Sequence, residues 1–179
     1  MTEQKTTRGN HFEMRVGRRL AANFPECTIL HDVSIPGRKR KPTQIDFILL
    51  DETGIYVIEA KGYSGEVTGD DTDIYWKKTF IKENGIKYEK QVLNPLVQNA
   101  GHVKYIKRLI DNPNINVFSI VVMSEKCDSS SIHHRQKDSF MFHLKEFAAG
   151  IEDLMETSDI CLSDSQLEEL ENRLVSSDC

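Results

Sequence analysis

Residues Gln44 to Lys61, QIDFILLDETGIYVIEAK, hold two apolar runs joined at Asp51-Glu52-Thr53-Gly54. Two such runs around a turn signal read as a β-hairpin. If Leu50 pairs with Ile55, the antiparallel register continues inward as 49 with 56, 48 with 57, 47 with 58 and 46 with 59. Asp46 then faces Glu59, and Lys61, two residues further on, shares their face. Cβ atoms facing each other across an antiparallel pair are about 4.5–5.5 Å apart, where like charges repel, so a cation is expected beside the two acids. This register predicts one core face, with Ile45, Phe47 and Leu49 against Tyr56, Ile58 and Ala60, and an opposite face that ends in charge. A shorter loop with Gly54 in a bulge would slip the pairing by one residue and send one acid to the wrong face.

Upstream, Phe12, Val16 and Leu20 recur at helical spacing with Arg15, Arg18 and Arg19 on other faces, which predicts an amphipathic helix over 10–23. Glu13 sits at the rim of that stripe, either as a surface acid near a helix N-terminus or as an acid aimed at the hairpin cluster. Pro25 ends the helix, and residues 28–35 read as a strand. Pro36-Gly37 opens a turn carrying Arg38, Lys39, Arg40 and Lys41. Four cations just ahead of the strand that bears Asp46 read either as a solvated tip or as a track for a phosphate backbone.

Beyond the hairpin, a short strand at 65–69 precedes two polar arms, 75–80 and 86–88, turning at Glu83-Asn84-Gly85. Trp76, the only tryptophan, reads as a core anchor, with base stacking as the alternative. Asn94-Pro95 starts a helix, with Asn capping and Pro in the first turn. The helix runs through Leu96, Ala100, Val103, Ile106 and Ile110, with Gln98 and His102 one turn apart. Residues 117–123 read as a nearly continuous apolar strand of the kind buried on both faces. Residues 127–138 read as a flexible loop, 140–142 as a short strand, and two helices follow, one around 144–155 and one from Ser163, where Ser163 and Gln166 have capping-box spacing.

A length of 179 residues suits one domain with a core of its own, and no apolar run is long enough to span a bilayer. The N-terminal ten residues have no apolar stretch of the kind a signal peptide needs, so a cytoplasmic location and no membrane partner are expected. Cys27, Cys127, Cys161 and Cys179 form no CxxC pair, which argues against zinc and against a disulfide framework. A net charge of −5 argues against a surface coated in positive charge for nucleic acid but says little about one groove.

The predicted order is an α/β fold with a mixed sheet. Asp46 and Glu59 on one face suit a divalent cation with oxygen ligands, and Lys61 beside them can orient water or stabilise charge on a phosphate oxygen. These residues point to metal-assisted phosphodiester hydrolysis. Asp46 followed by Glu59-Ala60-Lys61 resembles the D…(D/E)xK signature of the PD-(D/E)XK nuclease superfamily, whose core order is αβββαβ; Ile45 stands where that pattern usually has Pro. More narrowly, the chain resembles the NERD (nuclease-related) domain. The matching pieces are Gly9-x-x-x-Glu13, Gln44-Ile45-Asp46, Gly54 to Lys61, Gly65 with Trp76, and Asn94-Pro95-Leu96-x-Gln98-Asn99 with His102, over residues of about 9–125.

The resemblance implies a restriction-endonuclease-like core in which Asp46, Glu59 and the backbone carbonyl of Ala60 ligate Mg²⁺ or Mn²⁺. It makes Lys61 the catalytic lysine, completes the site with Glu13 and Gln98, and leaves His102 to pack or hydrogen-bond nearby. The expected organisation is a disordered 1–9, a nuclease-like domain over 10–150 and a helical extension over 151–179, read either as an accessory layer or as part of a homo-oligomer interface. The expected activity is a metal-dependent deoxyribonuclease in DNA processing or repair, with RNA left open as a substrate. The alternative is a nucleic-acid-binding or scaffold module that keeps the nuclease fold without cutting.

Overall fold

A computed structural model describes residues 7–37, 42–81 and 85–176. Helix α1 (Thr7–Asn23) is followed by strands β1 (Thr28–Ile35), β2 (Thr43–Asp51) and β3 (Gly54–Lys61). An insertion of β4 (Gly65–Asp70), β5 (Tyr75–Ile81) and β6 (Lys87–Leu93) leads into α2 (Pro95–Ile110) and β7 (Val117–Met123). Two-residue strands β8 (Cys127–Asp128) and β9 (Ile132–His133), then β10 (Ser139–His143), α3 (Phe147–Glu156) and α4 (Asp164–Ser176), complete the described chain. Helix α1 begins at Thr7, three residues before its predicted start.

The central sheet has the order β1-β2-β3-β7-β10. Strands β1, β2 and β3 are antiparallel neighbours, while β7 joins β3 and β10 joins β7 in parallel. Helices cover both faces, as a sheet with parallel members requires. Phe12, Val16 and Leu20 of α1 and Phe147 and Ile151 of α3 pack with Phe47, Leu49, Tyr56 and Ile58 on one side. Ile106 and Ile110 of α2 and Leu170 and Leu174 of α4 pack with Ile48, Leu50, Ile55 and Val57 on the other. The chain is thus a mixed α/β fold with a central mixed sheet flanked by helices.

The hairpin closes in the expected register, with Leu50 opposite Ile55 and Phe47 opposite Ile58. Two details differ from expectation. The face that carries the acids is also core, since α2 and α4 cover it. Ile45 leaves the side of Phe47 and Leu49 and packs with Ile48 and Val57 instead. The cause lies opposite: the β1–β2 ladder omits the Asp32–Asp46 pair, and Asp32 takes a left-handed φ of 56° that its short polar side chain tolerates. Gln44 Nε2 donates to the Asp32 carbonyl at 3.3 Å and to its carboxylate at 2.9 Å, bracing the kink.

The insertion forms a second sheet, β6-β5-β4-β8, with β9 also pairing β4. Residues 127–138, expected to be a loop, therefore contribute two short parallel pairings. They are held by buried Asp71, whose Oδ2 accepts from the backbone N–H groups of Arg135 at 2.7 Å and Gln136 at 3.2 Å. Trp76 is a core anchor: it is buried, and its indole donates to the Asp70 carbonyl at 2.8 Å. Gly69 makes room for it, because a Cβ there would lie 2.3 Å from the indole.

Candidate active site

The β2–β3 ladder ends at Phe47 and Ile58, one step short of the expected pairing of Asp46 with Glu59, while β3 stays paired with β7 as far as Lys61. Past that point the Ala60 N–H donates to Asp46 Oδ2 at 2.9 Å, so a carboxylate stands where a strand carbonyl would otherwise accept. Burying a carboxylate without partners is costly, and this backbone donor offsets part of the cost for Asp46, which is only 5% exposed. Glu59, 2% exposed, is on the same side as Ile55 and Val57 by strand alternation and so faces α2.

Lys61 forms a hydrogen-bonded ion pair with Glu59 Oε1. Burial by itself opposes the Lys61 charge, but the combined pull of Glu59, Tyr63 and Asp46 outweighs it and holds the ammonium above the ordinary lysine range. It is therefore a cation at neutral pH. Gln98 Nε2 donates to the same Glu59 oxygen at 2.9 Å. His102 Nδ1 lies 3.5 Å from Glu59 Oε2, and its Nε2 lies 3.4 Å from the Thr43 hydroxyl. Burial, partly opposed by Asp46 and reinforced by Lys61, pushes the imidazole down to about 4. His102 is thus neutral at pH 7 and adds no charge to the cluster.

Helix α2 is aimed at the acids by two asparagines. Asn94 caps the helix, its Oδ1 accepting from the Leu96 N–H at 2.8 Å. Its Nδ2 reaches the carbonyls of Asp70 at 3.3 Å, Asp71 at 3.1 Å and Asp73 at 2.7 Å. Asn99, fully buried, donates to the Val57 carbonyl at 2.8 Å, the Ser119 hydroxyl at 3.0 Å and the Ile120 carbonyl at 3.2 Å. That fixes the helix against β3 and β7 and turns the neighbouring Gln98 toward Glu59. In the sequence Asn99 is only part of a motif; its polar character in the middle of an apolar helix stripe was the available signal.

The structure therefore brings Asp46, Glu59, Lys61, Gln98 and His102 together. Glu13 is half-buried on α1, the layer across the sheet from α2, and the bonds just described do not include it. Arg38, Lys39, Arg40 and Lys41 lie outside the described residues. Among the described residues no group of three His, Cys, Asp or Glu side chains is set to hold a metal ion. A cation here would rest on the two carboxylates, the Ala60 carbonyl and water. That all-oxygen set fits a hard divalent ion that keeps part of its hydration shell.

A family model described as the nuclease-related domain, NERD, matches residues 8–124. The chain is similar to an uncharacterized protein of Bacillus anthracis, 25% identical over 164 residues that make up 91% of this chain and 73% of that protein. No solved structure matches the chain.

Proposed function

The chain belongs to the nuclease-related domain family, and from that premise we propose that it is a Mg²⁺- or Mn²⁺-dependent deoxyribonuclease. The observation that carries this reading is the convergence of two buried carboxylates and a protonated lysine at the end of one hairpin. Asp46, Glu59 and the Ala60 carbonyl would hold the cation, which when bound supplies a water of lowered pKa and polarises the phosphoryl group. Lys61 then offers its charge to the oxygen on which negative charge builds. Gln98 fixes the Glu59 carboxylate through its 2.9 Å hydrogen bond, and neutral His102 packs behind it. Glu13 and the cations Arg38 to Lys41 complete the proposal, the first at the site and the others along the substrate backbone.

The test is a cleavage panel of linear, nicked, circular, single-stranded and branched DNA, with RNA alongside, in Mg²⁺ and in Mn²⁺. Wild-type protein should cut at least one DNA, and Asp46→Asn or Lys61→Met should lower the rate about 100-fold or more. Undiminished cutting by both variants would remove these residues from the site. One observation favours a second reading, a binding module that does not cut: Lys61 is closed onto Glu59 with its side chain only 19% exposed. Salt-sensitive DNA binding with no cleavage under any condition of the panel would establish that reading instead.

A further inference from the structure

One face of the insertion sheet divides into two halves. Val67, Trp76 and Val92 sink into a core cluster with Leu96 and Met123. Further along the same face, Lys78 pairs across the ladder with Lys90, and Phe80 with Tyr88. The Phe80 and Tyr88 rings stack with centroids 5.7 Å apart and planes at 17°. The Lys78 ammonium lies 5.1 Å from the Tyr63 ring centroid and 5.8 Å from that of Phe80. Gly65 of β4 stands beside Phe80, where an added Cβ would lie 3.2 Å from the Phe80 Cβ and 2.2 Å from the Thr79 carbonyl.

The charges on this half-face are unbalanced. Two lysines directly opposite each other repel, and neither Lys78 nor Lys90 makes an ion pair among the described residues. The reverse face of the same hairpin does balance its charge, with Lys77 3.7 Å from Glu89. Partial burial together with Lys90 holds the Lys78 ammonium below the ordinary lysine range, Cys127 opposing the shift. A half-buried cation with a like-charged neighbour and no carboxylate paired to it among the described residues is set for an anion. Beside it are the half-buried rings of Tyr63, Phe80 and Tyr88. Cations interleaved with aromatic rings match a single strand, which offers phosphates and unstacked bases together; a duplex keeps its base faces covered. The patch also reaches the candidate active site, since Tyr63 lies two residues past Lys61 and acts on it electrostatically.

We propose that Tyr63, Lys78, Phe80, Tyr88 and Lys90 form a platform for single-stranded nucleic acid, the rings stacking bases and the lysines holding phosphates, which leads the strand to Lys61. The proposal rests on the nuclease reading for the destination of the strand but not for its binding. The test is fluorescence anisotropy of the full chain in EDTA with labelled oligothymidylate and with a duplex of equal length, and cleavage of both in Mn²⁺ alongside. Wild type should bind the single strand more tightly than the duplex. Phe80→Leu and Lys78→Met should each weaken single-strand binding about tenfold. Lys78→Met should also flatten the salt dependence by about 0.7 in the log–log slope, and Lys78→Arg should restore it. Melting temperatures identify any variant that fails to fold, and the remaining one then decides.

Unchanged single-strand binding in the folded variants overturns the platform, as does an equal loss on strand and duplex. Platform-dependent binding without cleavage overturns the nuclease reading and leaves the platform standing. Cleavage of the single strand by wild type and by the platform variants with the same KM overturns the platform alone.

Discussion

Asp46 does two jobs with one carboxylate: it terminates the β2–β3 ladder by accepting the Ala60 N–H, and it supplies one of the two acids at the hairpin end. These jobs separate by substitution. Asp46→Ala leaves a buried N–H without its acceptor and should cost about 1–3 kcal/mol of stability in urea unfolding. Asp46→Asn keeps an oxygen for that N–H and should unfold near the wild-type midpoint while losing any cleavage. Equal stability losses in the two variants would show that the Ala60 bond contributes nothing. At this scale the sequence was informative where a residue's place follows from strand alternation alone. The pairing of Leu50 with Ile55 follows from the turn residues, and Asp46, Glu59 and Lys61 fall together once it is set. The side switch of Ile45 was not legible, because it depends on a left-handed Asp32 on a different strand. Helical spacing placed Gln98 and His102 one turn apart, but only the family resemblance directed them to the site, since spacing alone does not say how α2 rotates about its axis.

Among the elements, α2 is the one whose setting determines the site, and Asn99 fixes that setting through bonds to β3 and β7. Asn99→Ala should destabilise the protein by about 1–3 kcal/mol and free the helix to rotate. Its effect on cleavage should appear in kcat through Gln98 and Glu59, which kinetics on any cleaved substrate would reveal; unchanged stability would mean that the Asn99 bonds do not hold α2. Elements with a strong period or a cap were readable in advance. The Phe12, Val16 and Leu20 stripe, the Asn94-Pro95 start and the apolar run 117–123 each state their own structure. The segment 127–138 did not, because its two short pairings have no pattern of their own and depend on Asp71 more than sixty residues away. The helix predicted around 144–155 starts later, at Phe147, since the Leu144 N–H bonds to the Met123 carbonyl and a turn at His143–Glu146 intervenes.

Across the whole molecule, the described C-terminal residues close the α2 side of the sheet. Ser163 and Gln166 cap α4 as their spacing suggested, the Ser163 N–H donating to Gln166 Oε1 at 2.9 Å. Leu170 and Leu174 then pack with Ile106, Ile110 and Val33. Leu174→Ala should therefore cost about 2–5 kcal/mol of unfolding free energy, whereas a helix that only waits for a second copy would tolerate it; thermal unfolding of the variant separates these cases. The layered α/β plan was legible from element order, and so were β4 and the β5–β6 hairpin of the second sheet, but its β4–β8 and β4–β9 pairings were not, because they join distant stretches. The Asn94 side chain has a mechanical consequence at this scale. By joining three carbonyls of the β4–β5 turn to the first turn of α2, it rivets the insertion sheet to the helix that carries Gln98 and His102. The insertion sheet and the site helix thus share a hydrogen-bonded joint, through which a load on the β5–β6 hairpin would reach Gln98 and His102.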